Sequence, residues 1–429
     1  MPQQRILFFI ILSMVSTLCL GQINWTRYQG NPVVTIGPAN PDDPKTLRLA
    51  YTPSVIFSTR SNRDDGADLY RMWFSTTTPG ASTMNISHAV SLNGKDWFLY
   101  SNNPVMKAGS SAAFDSRWLV SADVHYINNQ YLMYYQGFDG VLWQIGLASS
   151  ADGINWKKHE GNPILRVAPG TWESVTCGAP EVVHNGSTYS MMYTGFDGST
   201  YAIGLATSTD GVRWTKHPTN PVLRKGPPGS WDQNSVTSIA MFHTSGRYYL
   251  LYGGGPYTGI GLATSTDLIN WVKYEGNPVL QPRAGTWEGR IEYGSVMLRN
   301  NVVHFWYSGN GPGDVWQIGY ATSPFTPQAF EEMSSVRPSD IPKVYELKQA
   351  FPNPFNPETK IEYSIANDEH VTITIYDALG RELETLVNEA QSAGNHSATW
   401  DANKYASGVY MYHMSAGGYS DTKKMILMK

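Results

Sequence analysis

Cysteine is nearly missing from this chain: it has two among 429 residues, Cys19 and Cys177. Cys19 falls in an apolar N-terminal stretch, so removal of that stretch leaves one thiol and excludes an internal disulfide framework. Cys177 is expected to be a small buried residue, because no Cys/His signature of a nucleophile accompanies it. Charge is also sparse, at 15% of residues with a net of −4. Nothing therefore points to nucleic acid or to an acidic membrane surface. After the first twenty residues, no run approaches the roughly 20 apolar positions that a spanning helix needs. The ten histidines show no metal-ligand spacing, so no cofactor and no obligatory metal is expected, with a funnel ion such as calcium left open.

What the chain has instead is Trp, Tyr and Gly, the texture of many short strands. Residues 1–21 pair an early Arg5 with the apolar run Ile6 to Leu12 and small residues at Cys19 and Gly21. That is the pattern of a secretory signal peptide cut near Gly21. Leu18 stands where a lipoprotein acceptor site wants a small side chain, which argues against lipidation of Cys19.

From Trp25 onward the chain is organised by a repeat. A Trp followed six residues later by Asn-Pro and two apolar residues occurs five times, at Trp25, Trp97, Trp156, Trp214 and Trp271. The Asn positions are 72, 59, 58 and 57 apart, a near-constant period that marks a repeat architecture. Each repeat holds short aromatic or aliphatic runs, such as Ala179 to Val183, Tyr189 to Tyr193 and Ile203 to Ser208. Asn185-Gly186 and Asp210-Gly211 supply the positive φ of tight turns between them. Four strands per repeat cannot cover both faces alone, and radial packing solves this while leaving short edges. The last repeat stops at Ser323 without its Trp…Asn-Pro strand, whereas the first copy, Trp25 to Val34, stands alone. The expectation is a five-bladed β-propeller over 22–323, closed by pairing of its two ends. Residues 324–343, rich in Pro and Ser, read as a linker.

From Val344 the texture becomes alternating strands with Gly and Asn turns, which reads as a small Ig-like β-sandwich over 344–429. Its opening Phe351 to Pro357, the segment Tyr376 to Arg381 and the strand Gly408 to Tyr412 closely resemble the type IX secretion sorting domain of Bacteroidetes-like bacteria. The resemblance implies a secreted or surface-attached protein, with the secretion machinery as a partner, and says nothing about chemistry. An ordinary Ig-like spacer would keep the fold and change only the route.

The repeats around Ser150 to Leu165 resemble the five-bladed glycoside hydrolase superfamily, which includes families 43, 32, 62, 68 and 130. That implies a carbohydrate substrate, either hydrolysed or phosphorolysed. Family 43 places its base in an Asp-Pro pair on the first inner strand. Here Thr52 precedes Pro53, Ser121-Ala122 stand at the second-blade position, and Gly178 stands two before Pro180. The family 43 triad therefore does not match in place.

Other carboxylates offer themselves. Asp123 and Glu181 share one slot in adjacent repeats, which Ala240 and Val296 fill in the next two, and Glu292 lies four residues before Val296. The acids at Asp115, Glu173, Asp232 and Glu288 each follow an aromatic and recur, so they read as scaffold bonding backbone at a blade boundary. A reacting site needs unlike groups, which favours Glu181 as general acid, with Asp123 or Glu292 as base or modulator. Solvated or Arg-paired carboxylates in a wet channel are the alternative. Trp143, Tyr201 and Trp316 precede the third strands at matched positions and can stack on a sugar or pack between blades. Arg117 and Arg290 can hold a sugar hydroxyl or neutralise a carboxylate. The leading expectation is a monomeric glycosidase-like enzyme, against a non-catalytic propeller that binds glycan or protein, or an adhesion module.

Overall fold

The structure, a computed structural model, describes residues 25–35, 49–59, 68–77, 82–255, 257–325, 344–367, 369–391 and 394–429. The expected signal peptide and residues 326–343 of the expected linker lie outside the described residues. The chain forms two compact units, Met1–Ser334 and Ser335–Lys429. Both consist of strands and turns, with no helix among the described residues.

In the first unit each repeat folds into a four-stranded antiparallel module, and the second and third modules are joined into one sheet by the parallel pairing of Thr176 with Trp143. Module 1 has strands Tyr51–Ser58, Leu69–Thr76, Asn85–Ser91 and Phe98–Leu99. Module 2 has Trp118–Ile127, Gln130–Phe138, Trp143–Ser150 and Lys157–Lys158. Module 3 has Thr176–His184, Tyr189–Phe196, Tyr201–Ser208 and Thr215–Lys216. Module 4 has Val236–Thr244, Arg247–Gly254, Gly259–Ser265 and Val272–Lys273. Module 5 has Arg290–Arg299, Val302–Asn310 and Trp316–Pro324, and its fourth strand is the N-terminal Thr26–Arg27. The innermost strand of each module packs on that of the next, and the fifth packs on the first. This all-β arrangement is that of a β-propeller.

Closure is visible residue by residue. Thr26 pairs with Thr322, Arg27 with Ala321, and Val34 bridges to Ile318. Arg27 Nε donates to Glu288 at 2.9 Å, which ties the first strand to the last module by an ion pair with a buried partner. The chain termini of the ring are thus held by the same interactions that hold each module together.

The repeated Asn explains much of the motif. Asn162 Oδ1 accepts from Leu147 N at 2.8 Å, and its Nδ2 donates to Leu147 O at 2.9 Å. Asn31, Asn103, Asn220 and Asn277 make the same two bonds to Tyr320, His88, Leu205 and Leu262. One amide side chain therefore satisfies the N–H of a third-strand residue and adds a second donor to its carbonyl, which also accepts a backbone N–H from the fourth-strand segment, as Leu147 O does from His159 N. In modules 2 to 4 the same Nδ2 also reaches a second-strand tyrosine hydroxyl, Tyr135, Tyr193 or Tyr252.

Second-strand tyrosines donate in turn to the recurrent acids. Tyr135 donates to Asp115 at 2.9 Å, Tyr252 to Asp232 at 3.2 Å and Tyr307 to Glu288 at 2.6 Å. Lys158, Lys216 and Lys273 pair with Asp115, Glu173 and Asp232 from the fourth strands. The acids are indeed scaffold, but they bond side chains of their own module and not backbone at its boundary. Each is nearly fully buried, and burial of a carboxylate is tolerated because a cation and a hydroxyl face it.

The motif tryptophans seal one module against the one before. Trp156 stands edge-on to Trp73 at 6.0 Å, Trp97 to Trp306 at 6.4 Å and Trp214 to Tyr134 at 5.8 Å. They are half-buried at these seams and do not form the innermost core. Cys177 is fully buried within module 3, and burial pushes its thiol well up.

The second unit has two sheets, one of Glu346–Leu347, Glu358–Ile365 and Gly394–Asp401, the other of Glu369–Asp377, Glu382–Gln391, Gly408–Ala416 and Tyr419–Leu427. They share one core that includes Tyr363, Ile373, Trp400 and Tyr412.

Candidate functional site

Each innermost strand carries a bulge near its N-terminal end. The register shifts at Tyr51/Ser54, Val120/Asp123, Gly178/Glu181, Ser238/Ala240 and Glu292/Gly294. Four of the bulges hold a non-glycine residue at positive φ: Thr52 at 49°, Ser121 at 48°, Ala179 at 46° and Tyr293 at 24°. Such backbone costs about 1–3 kcal/mol and persists where surrounding bonds fix it. Here the previous module supplies them. Thr52 N donates to Ser308 Oγ, Ser121 N to Thr52 Oγ1, Ala179 N to Gln136 Oε1 and Ser238 N to Thr194 Oγ1, all within 3.0 Å. Gly178 is required because a Cβ there would meet Gln136 at 2.4 Å.

The bulge divides the strand into two chemical zones. Beyond it, one slot bonds to the next module: Val124 N donates to Ser54 Oγ, Val182 N to Asp123 Oδ2 and Val55 N to Ser295 Oγ. Glu181 belongs to this series, accepting from the backbone N–H of Met241. The fifth-module slot is therefore Ser295 and not Val296, since the segment from the recurrent acid Glu288 to the bulge is one residue shorter than its counterparts from Asp115 and Glu173. Asp123 also bonds His125 Nε2 at 2.7 Å. Burial pulls the His125 imidazole down, but the charge and hydrogen bond of Asp123 outweigh it and leave it raised. Burial and the neighbouring Asp123 push the Glu181 carboxyl well up, against the pull of the Met241 N–H.

Before the bulge lies a cavity of 310 Å³, lined by Tyr51, Trp118, Ser121, Gln136, Trp143, Thr176, Thr194, Tyr201, Tyr257, Glu292 and Tyr293 together with Met84 and Val120. Glu292 is the carboxylate among these lining residues. Its Oε2 accepts from Tyr51 Oη at 2.6 Å. Burial raises its carboxyl to about 7, while the Tyr51 bond and Arg290 pull the other way. Burial first and the Glu292 charge second raise the hydroxyls of Tyr51, Tyr201 and Tyr293, and the Glu292 charge leads for Tyr257, so four tyrosines from four modules converge on it.

Of the residues named from sequence, Glu292, Trp143 and Tyr201 line this cavity. Trp143 stacks on Phe138 at 4.3 Å and Tyr201 on Phe196 at 4.1 Å, which leaves one ring face of each free of that contact. Trp316 packs behind Tyr51 at 4.6 Å. Arg290 sits over the Tyr257 ring at 5.5 Å and pairs with Asp314 at 2.7 Å. Asp123 and Glu181 are not among the lining residues; they lie on the far side of the bulge. Arg117 is exposed and packs against Gly140. Sequence reasoning missed Tyr51, Tyr257, Tyr293, Ser121 and Gln136. The available hint was the equivalence of Tyr51-Thr52 and Glu292-Tyr293 ahead of their bulges.

The fold of the first unit is shared with known proteins. A β-1,2-mannobiose phosphorylase from Listeria innocua superposes with a TM-score of 0.56 at 14% identity, covering 72% of this chain and 99% of that one. A glycosyl hydrolase from Bacteroides ovatus gives 0.55 at 16%, covering 72% and 95%. An N-acetylgalactosamine deacetylase from F. plautii gives 0.51 at 18%, covering 73% and 97%. These likenesses concern the fold. An uncharacterized protein of Mycobacterium tuberculosis, Rv1502, is 29% identical over 206 residues, or 45% of this chain, and the chain spans 65% of that relative's length. Residues 349–428 match the secretion system C-terminal sorting domain, which marks the chain for secretion to the cell surface. Residues 81–303, just over half of the chain, match the glycoside hydrolase family 130 description, β-1,4-mannooligosaccharide phosphorylase, and the chain belongs to that family.

Proposed function

We propose that this chain is a secreted, five-bladed propeller enzyme that cleaves glycosidic bonds, with Glu292 as the proton donor to the leaving oxygen. The five modules are its blades, and the aromatic cavity before the bulges is its substrate site. One observation carries the reading: a half-buried carboxyl raised to about 7 sits in a cavity walled by aromatic rings. A general acid works best when its pKa lies near the working pH. The apolar C–H face of a sugar suits the rings of Trp143 and Tyr201.

Glu292 replaces Glu181 as the proposed acid, because Glu181 and Asp123 are committed to backbone N–H groups between modules. The sugar is proposed to be a neutral oligosaccharide, with mannooligosaccharides the first choice from the family. The glycosyl acceptor is water or phosphate. A second reading, binding without turnover, is favoured by Thr52 at the position where family 43 holds its base.

The test is turnover of mannooligosaccharides and aryl glycosides, with and without inorganic phosphate, by the parent, Glu292→Gln and Glu181→Gln. Loss of 100-fold or more in Glu292→Gln alone, on the order of one general-acid contribution, is the expected result. Free sugar identifies hydrolysis, and sugar 1-phosphate identifies phosphorolysis. No turnover by the parent on any glycan, with binding retained, establishes the second reading.

A further inference from the structure

Tyr51 and Glu292 come from the two innermost strands at which the ring closes, module 1 and module 5. Their contact is 2.6 Å, between the phenol hydroxyl and Oε2. The phenol has little freedom. Trp316 lies against it at 4.6 Å and Tyr293 stands edge-on at 5.6 Å. The backbone behind it is pinned as well, since Thr52 N donates to Ser308 Oγ at 2.9 Å and Thr52 Oγ1 bonds Ser75 Oγ at 2.7 Å. A carboxyl on a glutamate side chain has three rotors, and a rigid donor on one oxygen fixes both its position and which oxygen remains for a proton.

We infer that Tyr51 is a positioning residue for Glu292, holding Oε2 so that the proton is carried on Oε1 toward the aromatic cavity. This rests on the proposed role of Glu292 as proton donor. Tyr51 does not touch the reacting atoms; it acts through the carboxyl. The same hydrogen bond favours the ionised carboxylate, so it opposes the upward pull of burial and keeps the group near neutrality. A site without the phenol would hold its proton too tightly and aim it less well.

The experiment compares the full-length parent with Tyr51→Phe, which keeps the ring and removes the donor. The Glu292 carboxyl is followed by carbon-detected NMR titration, with Glu292→Gln to assign the resonance. The expected result is an upward move of about one pH unit in Tyr51→Phe, the size of one lost hydrogen bond to the charged form. On a cleaved glycan, the alkaline limb of the pH–rate profile should move up by the same amount. In the same assay kcat should fall about tenfold while KM changes less, as orientation is lost and binding is kept. Trp316→Leu keeps the hydroxyl but frees the ring, and should move the titration in the same direction by less. An unchanged Glu292 titration in Tyr51→Phe overturns the inference, whatever happens to thermal stability. The titration needs no substrate. A shift without turnover by the parent would keep the role of Tyr51 and overturn the glycosidase reading instead.

Discussion

Residue by residue, the environment of a side chain decides its role more than its type does. Six acids of this propeller illustrate it. Asp115, Glu173, Asp232 and Glu288 are buried opposite a cation and a tyrosine, Asp123 faces a backbone N–H and an imidazole, and Glu292 faces rings. The Glu292 carboxyl is raised from 4.5 to about 7 in the folded chain. Between those values the folded chain holds a proton that the unfolded chain has released. The stability this contributes is fully present below the window and is lost as pH rises through about 7, by roughly 3 kcal/mol. Glu292→Gln should therefore melt like the parent near pH 4.5 and be the more stable protein at pH 8; denaturant titrations at both pH values measure this. A second residue-scale case is the turn before each motif tryptophan. Gly153 O accepts from Trp156 at 3.0 Å and from Trp73 of the preceding module at 2.8 Å, and Gly94 and Gly211 do the same with Trp306 and Tyr134. All three sit at positive φ, and a Cβ on Gly153 would meet Trp73 at 2.9 Å. The fourth copy is Leu268, also at positive φ, where the preceding module offers Met192 in place of an aromatic donor. Gly153→Ala should cost about 2 kcal/mol from strain and displacement of Trp73, read as a lower melting temperature.

At the level of the element, the strands themselves are short and gain their stability from locks placed at fixed points. Asn162→Ala would strand the N–H of Leu147, leave its carbonyl with His159 N alone and take one donor from the Tyr135 hydroxyl, and is expected to cost roughly 1–3 kcal/mol in a denaturant melt. Asn162→Asp should cost similarly, since a carboxylate cannot donate to Leu147 O. These locks are why the repeat was legible: an amide, a tryptophan and a turn must recur at one spacing to do one job. The site was not legible in the same way. Its residues occupy matched strand positions but differ in type from module to module, as Tyr51, Val120 and Glu292 do, and as Trp118 and Thr176 do. The segment from the recurrent acid to the bulge is also one residue shorter in module 5, so equal spacing from that acid points to Val296 where the fold places Ser295. Restriction of Asp123 and Glu181 to two modules looked like chemistry because Ser54 and Ser295 perform the same bridging with a different side chain.

Across the whole molecule, the ring has one seam unlike the others. From module 4 to module 5 the slot residue is Ala240 and the second-strand acceptor position is Gly253, so neither kind of bridge seen at the other seams can form from those positions. Glu292 lies immediately across this seam, and the tyrosines of modules 3 and 4 fill the space beside it. The scaffold thus gives up cross-bonds where the site needs room. Ala240→Ser should restore the missing acceptor for the neighbouring strand and raise stability by about 1 kcal/mol; a loss of that size would show instead that the hydroxyl is buried without a partner. Closure of the ring by Thr26–Arg27 was readable from the odd strand at each end, and Arg27–Glu288 is its charged fastening. The claim on which all of this converges is that a sugar seats against Glu292 among the rings. The most direct measurement is a crystal structure of the Glu292→Gln protein with a bound mannooligosaccharide. A glycosidic oxygen is expected within about 3 Å of the side chain at position 292, with a ring face of Trp143 or Tyr201 against the sugar. A sugar bound beside Asp123 and Glu181, away from the aromatic cavity, would contradict it.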